Sequence, residues 1–126
     1  MAFPEELKYS KTHEWIKFND DETATVGITD FAQHELGELV FVDLPAEGDS
    51  MSIGESFAEV ESVKAVSEVN GPVDAEIEAV NADLQDNPQL INEQPYEAWF
   101  VKVKNITAKD ELMDAAQYEE FTKKEG

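Results

Sequence analysis

The segment Glu61-Ser62-Val63-Lys64-Ala65-Val66-Ser67-Glu68-Val69 decides the fold of this 126-residue chain. Lys64 is the only cation in residues 47–86, and Gly54 and Gly71-Pro72 bound the strand-like run around it. If the chain reverses at Lys64, the two flanking strands pair with each other. The ammonium then projects into solvent from the tip of a hairpin, where an enzyme that acylates amines can reach it.

Alternating apolar and acidic residues extend on both sides of this segment. Such a period of two places one face of each strand in a core and the other in water. The alternating positions are Ala58 and Val60 against Glu59 and Glu61, and then Val73, Ala75, Ile77 and Ala79 against Asp74, Glu76 and Glu78. Turn residues interrupt the first two-thirds of the chain at short intervals, which is typical of a sandwich or barrel. We therefore expect a mainly β fold.

Helix and strand signals in the rest of the chain complete the expected architecture. They predict a hairpin of Tyr9–Phe18 with Thr23–Ile28, one short internal helix capped by Asp30 and ending at Gly37, strands at Glu38–Leu44 and Trp99–Lys104, a loop-like stretch after Asn81, and a C-terminal helix that begins at the capping box of Asp114 and Gln117. We expect one domain over residues 1–126, with a core of about residues 7–105 and a helical segment of about residues 107–124.

The composition excludes several classes of function. Nine lysines, no arginine and 29 acidic residues give a formal net charge of −20, which repels nucleic acid and anionic membranes. Cysteine is absent, so redox chemistry requires an added group. No stretch is apolar and long enough for a membrane span or a signal core, and the acidic surface favours a monomer. We expect a soluble, cytoplasmic protein.

No catalytic or metal-binding motif is visible. His13 and His34 belong to no ligand set, and the calcium loop pattern with its central Gly and closing Glu is missing. Phosphate loops, nucleophile elbows and dinucleotide fingerprints are missing as well. With so many carboxylates, no single acidic pair identifies a hydrolase. A self-contained enzyme is therefore a poor hypothesis.

Several motifs, in order along the chain, resemble the H protein family of the glycine cleavage system. They are Tyr9-Ser10-Lys11-Thr12-His13-Glu14-Trp15, Val26-Gly27-Ile28-Thr29-Asp30-Phe31-Ala32-Gln33, Leu36-Gly37-Glu38-Leu39-Val40-Phe41-Val42-Asp43-Leu44-Pro45, Glu61-Ser62-Val63-Lys64-Ala65 and Pro88-Gln89-Leu90-Ile91-Asn92. The resemblance runs from about Leu7 to Phe121. It implies a barrel-sandwich hybrid of the lipoyl/biotinyl type with a helical C-terminus, and lipoic acid in amide linkage on Lys64.

The same resemblance implies a carrier without an active site of its own. Its partners are a pyridoxal-phosphate glycine decarboxylase, a tetrahydrofolate-dependent aminomethyltransferase and dihydrolipoamide dehydrogenase, and a lipoate ligase or lipoyl/octanoyl transferase attaches the arm. The arm takes an aminomethyl group from the decarboxylase to the aminomethyltransferase and is then reoxidised. Residues Glu61, Ser62, Val63 and Ala65 around the tip would be recognised by the attaching enzyme.

By position, the resemblance also implies residues that shelter the loaded arm. Thr12, Glu14 and Glu68 correspond to the surroundings of the cationic amine, and His34 to a place near the arm. Carboxylate and hydroxyl oxygens suit this task because they accept hydrogen bonds from an ammonium group.

Three other functions stay open at this point. The same hairpin would serve a lipoyl relay that hands its cofactor to other acceptor domains. It would also serve a biotin carrier, although such domains usually have Met on both sides of the lysine, where Val63 and Ala65 stand here. Finally, the chain could be an acidic interaction domain in which Lys64 is an ordinary surface residue.

Overall fold

The computed structural model describes residues 3–125 of the chain. Met1, Ala2 and Gly126, which end the expected domain 1–126, lie outside the described residues. Within these residues nine strands and four helices follow one another: β1 (Lys8–Tyr9), β2 (Glu14–Phe18), β3 (Ala24–Ile28), α1 (Asp30–Leu36), β4 (Leu39–Asp43), β5 (Ser50–Met51), β6 (Ser56–Ser62), β7 (Val66–Asn70), β8 (Val73–Val80), α2 (Asp83–Asp86), α3 (Leu90–Glu93), β9 (Val101–Lys109) and α4 (Ala115–Glu125).

The strands form two antiparallel sheets that share one apolar core. The larger sheet has the order β1-β2-β3-β9-β8-β5, and the smaller has the order β4-β6-β7. Their inner faces contribute to the same cluster, in which Ile16, Val60 and Val103 are buried. Burying one such side chain stabilises the fold by about 1.5–3 kcal/mol. The prediction of a mainly β fold is confirmed, and the two sheets remain separate instead of closing into a barrel.

A second apolar cluster joins the C-terminal helix to the first strands. The rings of Tyr9 and Tyr118 stack with centroids 4.7 Å apart and planes 8° apart. Trp15 belongs to the same cluster and lies over Gly27, where a Cβ would stand only 2.6 Å from Cε2 of the indole. This packing holds α4 beside the turn between β1 and β2, and that turn contains Thr12 and His13.

Helix α1 begins one residue earlier than the sequence prediction. Thr29 is the N-cap, because its Oγ1 accepts a hydrogen bond from the Ala32 amide at 3.1 Å. Asp30 instead lies in the first turn and accepts a hydrogen bond from the Gln33 side chain. The helix ends at Gly37 with φ +82°, as predicted, since glycine adopts this left-handed conformation without strain.

Three elements differ from the sequence predictions. The strand expected at Tyr9–Phe18 is divided into β1 and β2, which pair with each other across a turn at residues 10–13. The stretch after Asn81, expected to be a loop, contains the single-turn helices α2 and α3, each anchored by one buried residue, Leu84 and Ile91. Each ends just before an X-Pro pair, where the helix conformation is disfavoured. The last strand, expected at Trp99–Lys104, begins at Val101 and extends to Lys109, so the helical segment expected from about residue 107 begins only at Ala115.

Asn92 connects α3 to the region that precedes β4. Its Nδ2 donates to the Gly37 carbonyl at 2.8 Å and to Gln33 Oε1 at 2.9 Å, while its Oδ1 accepts from the buried Leu39 amide at 2.9 Å. These bonds fix the chain on both sides of Glu38.

No helix in residues 3–125 is both long and apolar enough to cross a bilayer.

We expect Asn92→Ala to lower the free energy of unfolding by roughly 1–3 kcal/mol, because a buried amide loses its partner. Urea denaturation measures the change. Gln89→Ala is the matched control, since its exposed side chain bonds only to Glu38, and it should change stability by less than about 0.5 kcal/mol. Equal effects of the two substitutions would contradict the connecting role of Asn92.

Candidate functional site

Lys64 lies at the tip of the hairpin formed by β6 and β7, as predicted. The last paired residues before the turn are Glu61 and Val66. Ser62 closes the turn: its amide donates to the Ala65 carbonyl at 2.7 Å, and its Oγ accepts from the amides of Ala65 and Lys64 at 3.0 and 3.3 Å. Ser62 is buried whereas Lys64 is exposed. The backbone of the tip is therefore fixed while the amine stays accessible.

The tip is also attached to the end of helix α1. The Val63 amide donates to the Glu38 carbonyl at 3.1 Å. The Lys64 side chain passes close to Gly37, since its Cε lies 3.6 Å from the place that a Cβ on Gly37 would occupy. Among residues 3–125, Lys64 Nζ has no ion-pair or hydrogen-bond partner. An acyl group on this nitrogen would disturb no existing interaction.

Two clefts lie on opposite sides of α1. The first has a volume of about 380 Å³ and is lined by polar residues, including His34, Glu38 and Glu93. The second has a volume of about 440 Å³ and combines Thr12 and Ser67 with the apolar residues Phe31, Ala32 and Leu36. His34 and Thr12, both expected near the arm, thus belong to different clefts. The second cleft offers apolar contacts for an alkyl arm and polar atoms at its Thr12 end.

Glu14 is buried and is connected to the second cleft through Thr12, which lines it. Its Oε1 accepts hydrogen bonds from the hydroxyls of Ser10 and Thr12, each at 2.5 Å, and its Oε2 accepts from the Asn70 amide at 3.2 Å. Burial raises the pKa of Glu14 to about 7, and these hydrogen bonds oppose the shift. The carboxyl group can therefore change its charge near neutral pH, which an exposed glutamate does not do.

Glu68 lies apart from Thr12 and Glu14. It is exposed and pairs with Glu59 on the outer face of the smaller sheet, whereas its neighbour Ser67 lines the cleft. Within the described residues the Glu68 carboxylate makes no hydrogen bond or ion pair. The structure thus brings Thr12 and Glu14 together, and Glu68 reaches them only through a change of the β7 edge or of its own side chain.

His13 connects the site to α4. It has φ +73°, an uncommon value outside glycine, and this directs the ring towards the helix. Its Nδ1 lies 2.7 Å from Tyr118 Oη, and its Nε2 lies 2.7 Å from a Glu125 oxygen. Burial lowers the pKa of His13 although Glu125 acts in the opposite direction. Tyr118 Oη also contacts Thr29 Oγ1 at 2.7 Å, so this chain of contacts fixes one wall of the second cleft.

Four residues of the site are missing from the sequence predictions. Ser10 and Asn70 hold the Glu14 carboxyl, while His13 and Tyr118 connect the cleft to α4. Ser10 and His13 stand in the quoted motif around Glu14, which was a usable signal. Asn70 and Tyr118 act over large sequence separations, and no local pattern reveals them.

The chemistry of the site fits a covalent arm better than a metal ion. No cluster of three or more His, Asp or Glu side chains suited to a metal is found in the described part of the chain. The accessible amine of Lys64 is the group that an acyl donor needs, and the second cleft provides an apolar wall with a polar end. The residues present therefore fit an arm attached at Lys64.

Comparisons with known proteins agree on one family. The model of the family described as glycine cleavage H-protein matches residues 7–125. A glycine cleavage system H protein of Lachnoclostridium phytofermentans is 57% identical over 125 residues, which cover 99% of this chain and 98% of the relative. One of Staphylococcus carnosus is 53% identical over 124 residues, which cover 96% and 98%.

A solved structure supports the same relationship. The crystal structure of a glycine cleavage system H protein from Mycobacterium marinum superposes with a TM-score of 0.88 at 39% sequence identity. The match covers 98% of this chain and 99% of that chain. The lipoyl-type arrangement of the two sheets, expected from the sequence, is therefore confirmed.

Glu14 should make stability depend on pH in a specific direction. Because its pKa is higher in the folded state, the native protein holds this proton more tightly, and stability falls as pH rises from about 4.5 to about 7. The contribution is of the order of 3 kcal/mol and is absent from Glu14→Gln. Urea unfolding of both proteins at about pH 5 and about pH 8 measures it. Parallel losses of stability in both proteins would contradict the raised pKa.

Proposed function

This chain belongs to the glycine cleavage H-protein family, and from that membership we propose that it is the lipoyl-bearing carrier of a glycine cleavage system. The observation that carries the proposal is the accessible amine of Lys64, which has no hydrogen-bond or ion-pair partner within residues 3–125, on a rigid hairpin tip. Family membership alone names the system, and the hairpin indicates which atom of this chain bears the arm. A lipoyl group supplies disulfide and dithiol chemistry, which a chain without cysteine lacks.

The proposed partners are those that the family resemblance implies. They are a pyridoxal-phosphate glycine decarboxylase, a tetrahydrofolate-dependent aminomethyltransferase, dihydrolipoamide dehydrogenase, and a lipoate ligase or lipoyl/octanoyl transferase. The chain acts as a substrate that carries an aminomethyl cargo between the first two, and has no reaction of its own. Tethering supports such a role because it keeps the reactive group at a high local concentration near each docked partner. A cytoplasmic location is part of the proposal, since the relatives named above are bacterial proteins.

Residues around the tip have two proposed tasks. Glu61, Val63 and Ala65 are exposed and offer contacts to the attaching enzyme. Ser62 is buried, so we assign it to the shape of the turn. The lysine is thus presented in one backbone conformation, which lowers the entropy cost of binding to an enzyme.

Thr12 and Glu14 are proposed to hold the cationic amine of the cargo. Both line or underlie the cleft that has an apolar wall, and a cation beside Glu14 favours its carboxylate form. The buried setting strengthens this attraction relative to water. Glu68 is proposed to approach from β7 when the arm is loaded, and His34 to contact the arm from the first cleft.

Intact mass spectrometry tests the attachment site. After expression with lipoate and a lipoate ligase, the mass should increase by one lipoyl group, and peptide mapping should place it on Lys64. Lys64→Arg should abolish the addition without changing the unfolding midpoint, because this exposed side chain has no partner to lose. Modification of another lysine, or a biotinyl group on Lys64, would contradict the proposal.

Loss of the amine cargo to water tests the sheltering residues. Starting from fully acylated and loaded proteins, Glu14→Gln and Thr12→Val should release ammonia at least about ten-fold faster, since a hydrogen bond to a charged group is worth about 1.5–3 kcal/mol. The same assay on Glu68→Gln shows whether Glu68 on β7 also holds the amine. Glu78→Gln, an exposed glutamate on β8, is the control and should behave as the unsubstituted chain does. Release at an unchanged rate from Glu14→Gln would exclude the role of Glu14.

A further inference from the structure

The exposed large apolar side chains of residues 3–125 are gathered in one place. They are Val40, Phe41, Val63 and Val66, with 46%, 53%, 70% and 57% of their surface exposed. Single exposed apolar residues are common, but a contiguous group usually marks an interaction site. All four belong to β4 or to the Lys64 hairpin, so the group surrounds the amine that the proposed function requires.

Strand register shows how these side chains are arranged. Phe41 lies opposite Glu61, and Glu61 lies opposite Val66, so the three form a row across the outer face of the smaller sheet. Neighbouring strands are about 4.8 Å apart, which places the Phe41 and Val66 backbones about 10 Å apart. We call this row, together with Val63 and the adjacent Glu59, the tip face.

A row of carboxylates borders the row of Phe41, Glu61 and Val66. Asp43 lies opposite Glu59, and Glu59 lies opposite Glu68. Along each strand these residues are two positions further from the tip than Phe41, Glu61 and Val66. The strands of the smaller sheet contain no lysine, whereas five lysines lie in strands of the larger sheet: Lys8, Lys17, Lys102, Lys104 and Lys109. The tip face and the neighbouring Asp43 and Glu68 therefore combine exposed apolar side chains with carboxylates, and they suit a partner with an apolar depression bordered by Lys and Arg.

We propose that the tip face is the docking surface for the enzyme that acylates Lys64. The proposal rests on the proposed function and extends recognition beyond residues 61–65 to β4. Phe41 is the central apolar anchor, because aromatic side chains contribute most to such contacts. Glu59 attracts the basic border of the partner.

The Lys64 side chain is short before it is acylated, so the attaching enzyme in particular has to dock beside the tip. The neutral Lys64 nitrogen attacks the acyl carbon of an acyl adenylate or acyl thioester; the amide C–N bond forms, the bond to the adenylate oxygen or thioester sulfur breaks, and a proton leaves the nitrogen. An enzyme that catalyses this step must bring its active site to the nitrogen itself and so must contact the residues beside the tip. Enzymes that act on the far end of a finished arm are free to dock elsewhere.

Acylation kinetics test the apolar row. We expect the double substitution Phe41→Thr with Val66→Thr to lower kcat/KM for acylation by a lipoate ligase at least about ten-fold, with intact mass as the readout. Threonine keeps the strand preference, and both residues are exposed, so the fold should persist. An unchanged unfolding midpoint and unchanged labelling of Lys64 by a small acetylating reagent verify that the tip itself is intact.

A matched pair of charge reversals tests the acidic row. Glu59→Lys and Glu78→Lys change the net charge equally and replace exposed glutamates within strands of different sheets; Glu78 lies at the irregularity of β8 between Ile77 and Ala79. We expect about a ten-fold loss of kcat/KM for Glu59→Lys and less than about a two-fold loss for Glu78→Lys. Equal losses would mean that only total charge matters and would overturn the proposal.

Two further measurements separate this inference from the proposed function. Binding of the ligase to the Lys64→Arg chain, measured by calorimetry, should weaken about ten-fold when Phe41→Thr and Val66→Thr are added. This binding assay does not depend on acylation, so absent acylation of the unsubstituted chain would refute the proposed function alone. Unchanged binding and acylation would overturn the inference alone.

Once fully acylated, the double variant should be reduced and reoxidised by dihydrolipoamide dehydrogenase at the normal rate. A loss confined to this step would assign the tip face to another partner and would overturn the inference.

Discussion

Ser62 holds the turn that carries Lys64 with four hydrogen bonds to residues 64 and 65, and the position of the Lys64 amine follows from this turn. A fixed turn with a free lysine side chain suits the proposed acylation, because the attaching enzyme has to reach the Lys64 nitrogen itself. Attachment of Val63 to the Glu38 carbonyl, and of Asn92 to the residues around Glu38, extends that fixation into the body of the protein. Helices α1 and α3 thus support the presentation of a single side chain.

The Glu14 carboxyl beside the second cleft is firmly held by hydrogen bonds and can still change its charge. Glu14 is buried and shared among two hydroxyls and one amide, which would be an unfavourable place for a permanent charge. A pKa of about 7 resolves this conflict, because the group can be neutral in the empty cleft and ionised beside a cation. The cluster of His13, Tyr118 and Thr29 keeps the wall of the cleft in position while that change occurs.

The sequence predicts those features that depend on neighbouring residues. Alternation around Lys64 and the bounding glycines predicts the hairpin, and Gly37 predicts the end of α1. Features that depend on distant residues are not predictable in this way: the Asn70 amide that donates to the buried Glu14 carboxyl lies 56 residues further along the chain, and Glu14 resembles any other strand carboxylate in the sequence. Helices α2 and α3 are one turn long, too short for a periodic pattern. Adjacent Thr29 and Asp30 are both good capping residues, and only the buried contact with Tyr118 distinguishes them.

Lys64 is the sole positive side chain within residues 47–86, so the unmodified and the acylated chain differ in charge at this position. In the proposed function, amide formation would remove that positive charge and change the formal net charge from −20 to about −21. Finished product and unfinished substrate therefore display different electrostatic patterns at the same spot. An attaching enzyme that places an acidic group beside the Lys64 amine would lose this attraction once the amide has formed, and the change of charge would then favour release of the acylated carrier.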